Sequence, residues 1–567
     1  MKSKIIILGF FLISVFAVTS CKKILEPDND NHSGEDRFAK DPAFAEGLLL
    51  NAYTALLNSY TYEEVATDDA VTNDKLSDYL RMATGEWSAQ YDPMTIWNVA
   101  YRQIYYLNYF LDIVDKTEFA WDESVAPSAA RDSMFKKRFT AEATILRAWY
   151  NFELLKRHGG TAADGSARGF IILKKNVDHN EDYNLPRNTY AECVSFILQD
   201  IETGISILPD VYANSGSDLN YNKVFGVQNA NRVNGLFAKA LKARVLLHVA
   251  SQPFITEPDK WSKAAAAAAV LVKAGGGITG LSTTGTSFWK NSADKEILFR
   301  RDFVNLNTWE LANFPPSLFG NGNTNPSQNL VDAFPMANGY PITNAASGYD
   351  PNNPYTNRDP RLKLYIVYNG NDVNGSTPVN TSLQDPKNGL NQTPQSTRTG
   401  YYLKKLMIPN VNLNPAVNST QRHFYPLFRY TEMYLNYAEA ANEAQGPDGD
   451  PNASGFTAKT IIAAIRKRAG LVQPDNYLTT ASATKESMRD LIRNERRLEL
   501  SFEGFRFWDM RRWGIGLTQP VKGVSINNGV YTYFTVENRL YQPFMIYGPI
   551  PYTETLNATN TIQNQGW

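Results

Sequence analysis

Apolar residues recur at steps of three and four along much of the chain, and each such stripe predicts an amphipathic helix. Trp97, Tyr101, Ile104, Asn108 and Leu111 form one; Leu236, Ala240, Ala243, Leu247 and Ala250 form another. Tyr430, Met433, Tyr434, Tyr437, Ala438 and Ala441 make a third, and the stretches Phe139 to Lys156, Trp261 to Lys273 and Lys485 to Phe502 carry the same period. Small residues, above all the Ala264–Ala269 run, let neighbouring helices approach closely. The expected fold class is therefore mainly α: tetratricopeptide-like helix pairs stacked into an α-superhelical scaffold, without a strict repeat of about 34 residues.

Between Leu281 and Pro426 the period breaks. Pro315-Pro316, Asn321-Gly322, Asn338-Gly339, Asn352-Asn353-Pro354 and Asn369-Gly370 punctuate short apolar runs, which predicts a large loop-rich, partly β face. A connection of that length inside a compact protein carries binding rather than core. The expected organisation is a helical region over 42–280, then a C-terminal region over 281–567. The latter is loop-rich to 426 and helical over 427–514, and it closes with a terminal segment, 515–567.

The amino end follows a different rule. Lys2 and Lys4 precede an apolar run from Ile5 to Val18, and Val18-Thr19-Ser20 leads into Cys21. The run is too short for a bilayer-spanning helix and has the flanks of a secretory signal. It predicts a lipoprotein signal peptide, 1–20, cleaved before a lipidated Cys21 that anchors the chain to a membrane. Residues 21–41 are polar and acidic and read as a tether.

Charge and composition then remove several classes. The 56 Lys and Arg nearly balance 57 Asp and Glu, so no basic field draws the chain to nucleic acid. Lipidation of Cys21 leaves Cys193 without a partner, and its apolar helical setting (Tyr190 to Ile197) predicts a buried, inert thiol. Five scattered histidines without a ligand spacing argue against a metal centre. No cofactor is expected. The aromatic share is high, with 31 Tyr, 29 Phe and 10 Trp. Rings set among amide and hydroxyl side chains suit a hydroxyl-rich ligand, although most rings in a large helical protein are core.

Two carboxylate groups stand out. Glu495 and Glu499 continue the stripe Met488, Leu491, Ile492, so both face the interior and need cationic partners. A structural network with nearby arginines, Arg506 and Arg511 among them, fits better than an acid/base pair, whose carboxyls would oppose each other across a cleft. Asp68-Asp69 and Asp74 could be catalytic, could hold a structural Ca²⁺, or could cap a helix and support a loop. No nucleophile elbow, P-loop, dinucleotide fingerprint or CxxC motif points to an enzyme.

Several motifs match one family in order along the chain. They include Ala141-Glu142-Ala143-Thr144-Ile145-Leu146-Arg147-Ala148-Trp149-Tyr150, Asn357-Arg358-Asp359-Pro360-Arg361-Leu362 and Ile465-Arg466-Lys467-Arg468-Ala469-Gly470. The most specific runs from Asn494-Glu495-Arg496-Arg497-Leu498-Glu499 through Gly504-Phe505-Arg506-Phe507-Trp508-Asp509 to Gly514. The chain resembles the SusD/RagB family of outer-membrane nutrient-binding lipoproteins. The resemblance implies four tetratricopeptide-like helix pairs and a variable loop face. It also implies a non-catalytic role: capture of an oligosaccharide, less often a peptide, for a partner SusC-like TonB-dependent barrel in the outer membrane. The family's ligand regions correspond to Asp69–Trp97 and the loops after Glu296. Arg81, Trp87, Tyr91 and Trp309 are the candidate contacts there, with Asp74 as a hydroxyl acceptor. Three readings compete with glycan binding: a peptide-binding member, a glycoside hydrolase, and a helical-repeat adaptor that binds only proteins.

Overall fold

A computed structural model of the chain describes residues 40–119, 129–177, 183–301, 303–373, 375 and 378–567. Cys21, the signal peptide and nearly all of the tether lie outside the described residues. The main helices are α1 (Pro42–Thr54), α2 (Trp97–Ile113), α3 (Ala129–His158), α4 (Tyr190–Ile207), α5 (Gly235–Ala250), α6 (Lys260–Ala274), α7 (Tyr430–Gln445), α8 (Ala458–Arg468), α9 (Lys485–Glu499) and α10 (Arg506–Trp513). Each packs on its predecessor from α1 to α8, and α9 lies against α7 and α8. The result is a helical stack of the tetratricopeptide-like kind, in which every element buries its apolar stripe against its neighbours.

Local chemistry sets the helix limits. Thr189 and Glu192 form a reciprocal capping box at the start of α4, and the Thr484 side chain accepts from Ser487 N to begin α9. α9 ends at Glu499, short of the expected Phe502, because Phe502 adopts a left-handed φ of 61°. In α6 the buried face is Ala264, Ala265, Ala268, Ala269, Leu271 and Val272, small enough to sit between α5 and α7. Cys193 is buried in α4, and burial pushes its thiol up to about 12, which keeps it protonated and inert.

The tight contact between α6 and α7 has a topological meaning. The chain leaves the scaffold after Ala274, builds the loop face, and re-enters at Tyr430 beside the helix it left. That excursion has its own apolar cluster, including Phe314, Leu330, Phe334, Tyr365, Tyr402, Leu406 and Phe424. Its strands are short pairs: β2 (Ile297–Arg300) with β4 (Pro426–Arg429), and β1 (Ala70–Thr72) with β3 (Thr324–Pro326), both antiparallel. A longer hairpin, β5 (Val521–Asn527) and β6 (Val530–Glu537), lies in the terminal segment.

Buried charge binds the two parts. Glu495 accepts from Arg361 Nη1 at 2.9 Å and Arg466 Nη1 at 2.7 Å, while Glu499 accepts from Arg361 at 3.0 Å and Arg468 at 2.7 Å. The chain of pairs runs on through Glu296, Arg429 and Glu503 to Lys405. Both expected carboxylates are therefore in a network, but two expected arginines are not part of it. Arg506 pairs at 3.0 Å with Asp68 in a neighbouring cluster that also holds Asp69 and Arg497. Arg511 donates to Ile546 O and stacks over Trp87, Phe507 and Trp508, with both terminal nitrogens unbonded among the described residues. A residue one helix later in sequence is not thereby opposite Glu495, and the partners come from distant segments instead.

The network makes two predictions. Glu495→Gln should lower stability by ~3–5 kcal/mol, because it leaves Arg361 and Arg466 without their shared carboxylate; denaturant melts measure the loss, and an unchanged midpoint would deny the network its role. The second concerns acid. Burial pushes the Glu499 carboxyl up, but Arg468, Arg361, Arg429 and Lys405 outweigh it and bring it down to about 2. Glu439 beside Arg512, and Glu153 beside Lys156 and Arg157, are likewise held at about 2 against burial. These folded values lie below the ordinary 4.5, so the stability they confer is present above 4.5 and is lost as pH falls towards 2. The melting temperature should therefore drop steeply from about pH 5 to about 2.5; a flat profile there would contradict the linkage.

Candidate functional site

The segment after α1 reaches the surface between two fixed points. Its strand β1 pairs with β3, and Asn73 adds a side-chain bond to Asn321 O at 2.9 Å. Asp74 then turns the chain, accepting from Leu76 N, and Ser77 caps a short helix, Asp78–Arg81. The helix unwinds through Thr84 and Gly85, and Gly85 at φ 112° holds a conformation that L-residues rarely adopt. After Trp87 a tight turn closes with reciprocal backbone bonds between Ser88 and Tyr91, both 3.1 Å.

This turn builds one wall of an open cleft of about 550 Å³, lined by Asp78, Gln90, Tyr91, Thr95, Tyr552 and Thr553, with Ala89, Asp92, Pro93 and Pro551 between them. The opposite wall is a terminal helix, α11 (Tyr552–Asn557), fastened by Tyr552 N donating to Ala89 O at 3.0 Å. Tyr91 is oriented from two sides. Its hydroxyl donates to Asp78 Oδ1 at 2.6 Å, and the Arg81 guanidinium lies 4.4 Å from its ring centre. Partial burial and the bond to Asp78 raise its pKa to about 12, so it stays a neutral donor. Arg81 is itself committed, donating to Glu86 at 2.6 and 2.9 Å. Tyr552 leaves 41% of its surface exposed.

Chemically, the cleft offers two tyrosine rings, two carboxylates, a primary amide and two threonine hydroxyls. That set can stack on an apolar ring face while exchanging hydrogen bonds with hydroxyl groups. Among the described residues its lining holds the acidic groups Asp78 and Asp92 and no lysine or arginine, which disfavours an anionic ligand.

The five sequence-derived candidates separate. Tyr91 lines this cleft and Arg81 lies over its ring, but Arg81 is not itself a lining residue, and Asp74 stands exposed in the turn leading to the cleft, also outside its lining. Trp87 is a correction: only 4% exposed, it packs edge-on against Tyr541 and Trp567 and near Phe507, and its Nε1 donates to Asp92. A ring enclosed in that way offers no stacking face. Trp309 belongs elsewhere, edge-on to Tyr60 at 5.2 Å and His423 at 4.8 Å. Sequence reasoning missed Tyr552 and Gln90; the only hint was an aromatic residue directly after Pro549-Ile550-Pro551. Asp68 and Asp69 lie between Arg497 and Arg506, so their oxygens are engaged in ion pairs. Among the described residues no group of His, Cys, Asp and Glu has metal-holding geometry. A further cavity, about 90 Å³, lies inside the scaffold, where Glu153, Lys156, Arg244, Glu432 and Arg512 are all ion-paired.

Comparison with known proteins agrees with this architecture from end to end. Residues 299–567 match the SusD family, and residues 26–223 match a family described as "Starch-binding associating with outer membrane". The SusD-like protein P38 of Formosa agariphila is 22% identical, across 91% of this chain and 92% of its own. Among solved structures, a SusD-like protein from Bacteroides fragilis superposes with a TM-score of 0.74 at 24% identity, covering 94% of this chain and 98% of that one. The surface glycan-binding protein A of Bacteroides fluxus superposes at 0.60 with 19% identity, covering 93% and all of that chain. Two family matches in chain order, relatives aligned over nearly their full length and a shared helical fold place the chain in the SusD/RagB family.

Proposed function

We propose that the protein is a non-catalytic glycan-binding lipoprotein, and that the cleft between Tyr91 and Tyr552 is where the glycan seats. The observation that carries the reading is the fixed Tyr91 ring, held by Asp78 and Arg81, lining one open cleft together with the exposed Tyr552. A ring already immobilised loses little side-chain entropy on binding. Members of the family are non-catalytic carbohydrate-binding proteins, and a structural neighbour from Bacteroides fragilis is described as a SusD-like carbohydrate-binding protein. The hydrolase alternative gains no opposed carboxylate pair here: Glu495 and Glu499 are buried among arginines.

The remaining steps are those the family resemblance implies. Cys21 carries the lipid that holds the protein at the outer membrane, on the cell surface, and a SusC-like TonB-dependent barrel receives the glycan. A peptide ligand is the second reading, favoured by no particular feature of this cleft.

Tyr91→Ala and Tyr552→Ala should each weaken oligosaccharide binding by about 1–3 kcal/mol, the loss of one stacking surface, with the fold intact. Trp87→Ala should behave differently, lowering stability by about 3–5 kcal/mol through a cavity among aromatic rings. Calorimetric titration beside thermal melts separates the two. Wild-type affinity in both tyrosine variants would move the site away from this cleft.

A further inference from the structure

A second cleft lies at the tip of the terminal hairpin. The turn is Asn528-Gly529, both at positive φ (48° and 82°), which is the geometry of a two-residue hairpin loop and sets the register Asn527↔Val530. A segment of the loop face is fastened to the β5 side: Leu383 N donates to Ile526 O at 2.9 Å, and Gln384 Nε2 donates to Asn527 Oδ1 at 2.7 Å. Between them is an open cleft of about 310 Å³, lined by Asn369, Asn380, Ser382, Gln384, Ile526 and Tyr531, with Gly370, Pro378, Val379 and Gly529 completing it. It shares no lining residue with the Tyr91 cleft.

Three features make this more than a surface depression. First, the Tyr531 ring is supported from behind: Tyr355 meets it edge-on at 5.9 Å, and Tyr355 is itself stacked on Tyr368 at 4.3 Å and 20°. The Tyr355 hydroxyl lies 3.2 Å from that of Tyr401, which donates to Gln328 at 2.5 Å. Second, the amides are half-used in a consistent sense. Asn369 Oδ1 accepts from Thr381 N and Asn380 Oδ1 accepts from Ser382 N, so neither Nδ2 has a partner among the described residues. The Ser382 hydroxyl and Gln384 Oε1 are similarly free among them. The cleft therefore presents two amide donors, one amide acceptor and a hydroxyl around one braced ring. Third, among the described residues its lining contains no Asp, Glu, Lys, Arg or His.

Mixed donors and an acceptor suit vicinal hydroxyls, which both give and accept, and the lack of any ionised group leaves a charged ligand without a counter-charge. We infer that the hairpin-tip cleft is a second carbohydrate subsite, selective for uncharged glycan, so that a long chain is held at two points on one protein. This rests on the glycan-binding reading above. Two linked contacts raise the affinity for a long chain well beyond that of either alone.

The test is retardation of the protein in native gels containing amylopectin, xylan or galactomannan, with polygalacturonate as an acidic comparison. Asn380 and Gln384 are exposed, so the double variant Asn380→Ala/Gln384→Ala should fold normally, as circular dichroism will check. On the neutral polymer that retards the wild type, this variant should lose affinity by roughly tenfold, and adding Tyr91→Ala should remove the remainder. Wild-type retardation of the double variant, with Tyr91→Ala alone abolishing binding, overturns the second subsite and leaves the first reading standing. Retardation of the wild type by no polymer overturns the glycan-binding reading itself, and retardation by polygalacturonate alone overturns the selectivity for uncharged chains. Tyr531→Ala gives an independent check: loss of affinity with an intact thermal melt supports the subsite, and unchanged affinity overturns it.

Discussion

The structure depends on a continuous line of buried ion pairs from Asp475 through Arg466, Glu495, Arg361, Glu499, Arg468, Glu296, Arg429 and Glu503 to Lys405. Its members come from α8 (Arg466, Arg468), α9 (Glu495, Glu499), the connections that follow those helices (Asp475, Glu503), the residue before β2 and the last of β4 (Glu296, Arg429), and the loop face itself at Arg361 and Lys405. Desolvating charges is costly, and a well-packed apolar replacement is often as stable. What the line supplies is geometry. Each carboxylate after Asp475 is shared by two cations, so removing one strips a partner from two buried cations at once and loosens the seat of the loop face on the scaffold. The excursion between α6 and α7 has few regular strands to hold it, and this line of charge takes their place.

A second constraint acts on the other side of α10. Arg511 is buried over three aromatic rings with no carboxylate bonded to its terminal nitrogens among the described residues, and burial lowers its pKa to about 10 despite Asp92 nearby. It stays charged at neutral pH, stabilised by ring faces rather than by an ion pair. The rings it touches include Trp87, which in turn packs against Trp567. The turn that carries Tyr91 is thereby fastened to the terminal segment from beneath, while Tyr552 fastens it from the side.

How much of this was legible depends on the distance over which the information acts. The helices were readable because a period of three to four residues is local, and α2, α5, α6 and α7 lie where the stripes place them. The inward face of α9 was readable for the same reason. The partners of that face were not: Arg361 lies 134 residues from Glu495, and nothing local in its Asp359-Pro360-Arg361 turn announces the contact. Arg496 and Arg497, next to Glu495, point to Asp509 and to the Asp68-Asp69 pair instead, since successive helical residues face different directions. Trp87 failed for a related reason. A tryptophan in a polar, glycine-containing connection looks exposed, and the rings that enclose it arrive from the far end of the chain.

The candidate site was half legible on the same terms. Arg81 and Tyr91 were found because both sit in one connection, so proximity in sequence stood in for proximity in space. Tyr552 needed the fold, because the backbone bond from Tyr552 to Ala89 is what joins the terminal helix to that turn, across more than 460 residues of chain. The hairpin-tip cleft also needed it. Its ring comes from the terminal segment, its amides come from the loop face, and the two meet where Leu383 and Gln384 bond to Ile526 and Asn527. Binding surface in this fold is thus assembled from segments that carry no periodic signal of their own, and it is held rigid by buried contacts the ligand never touches.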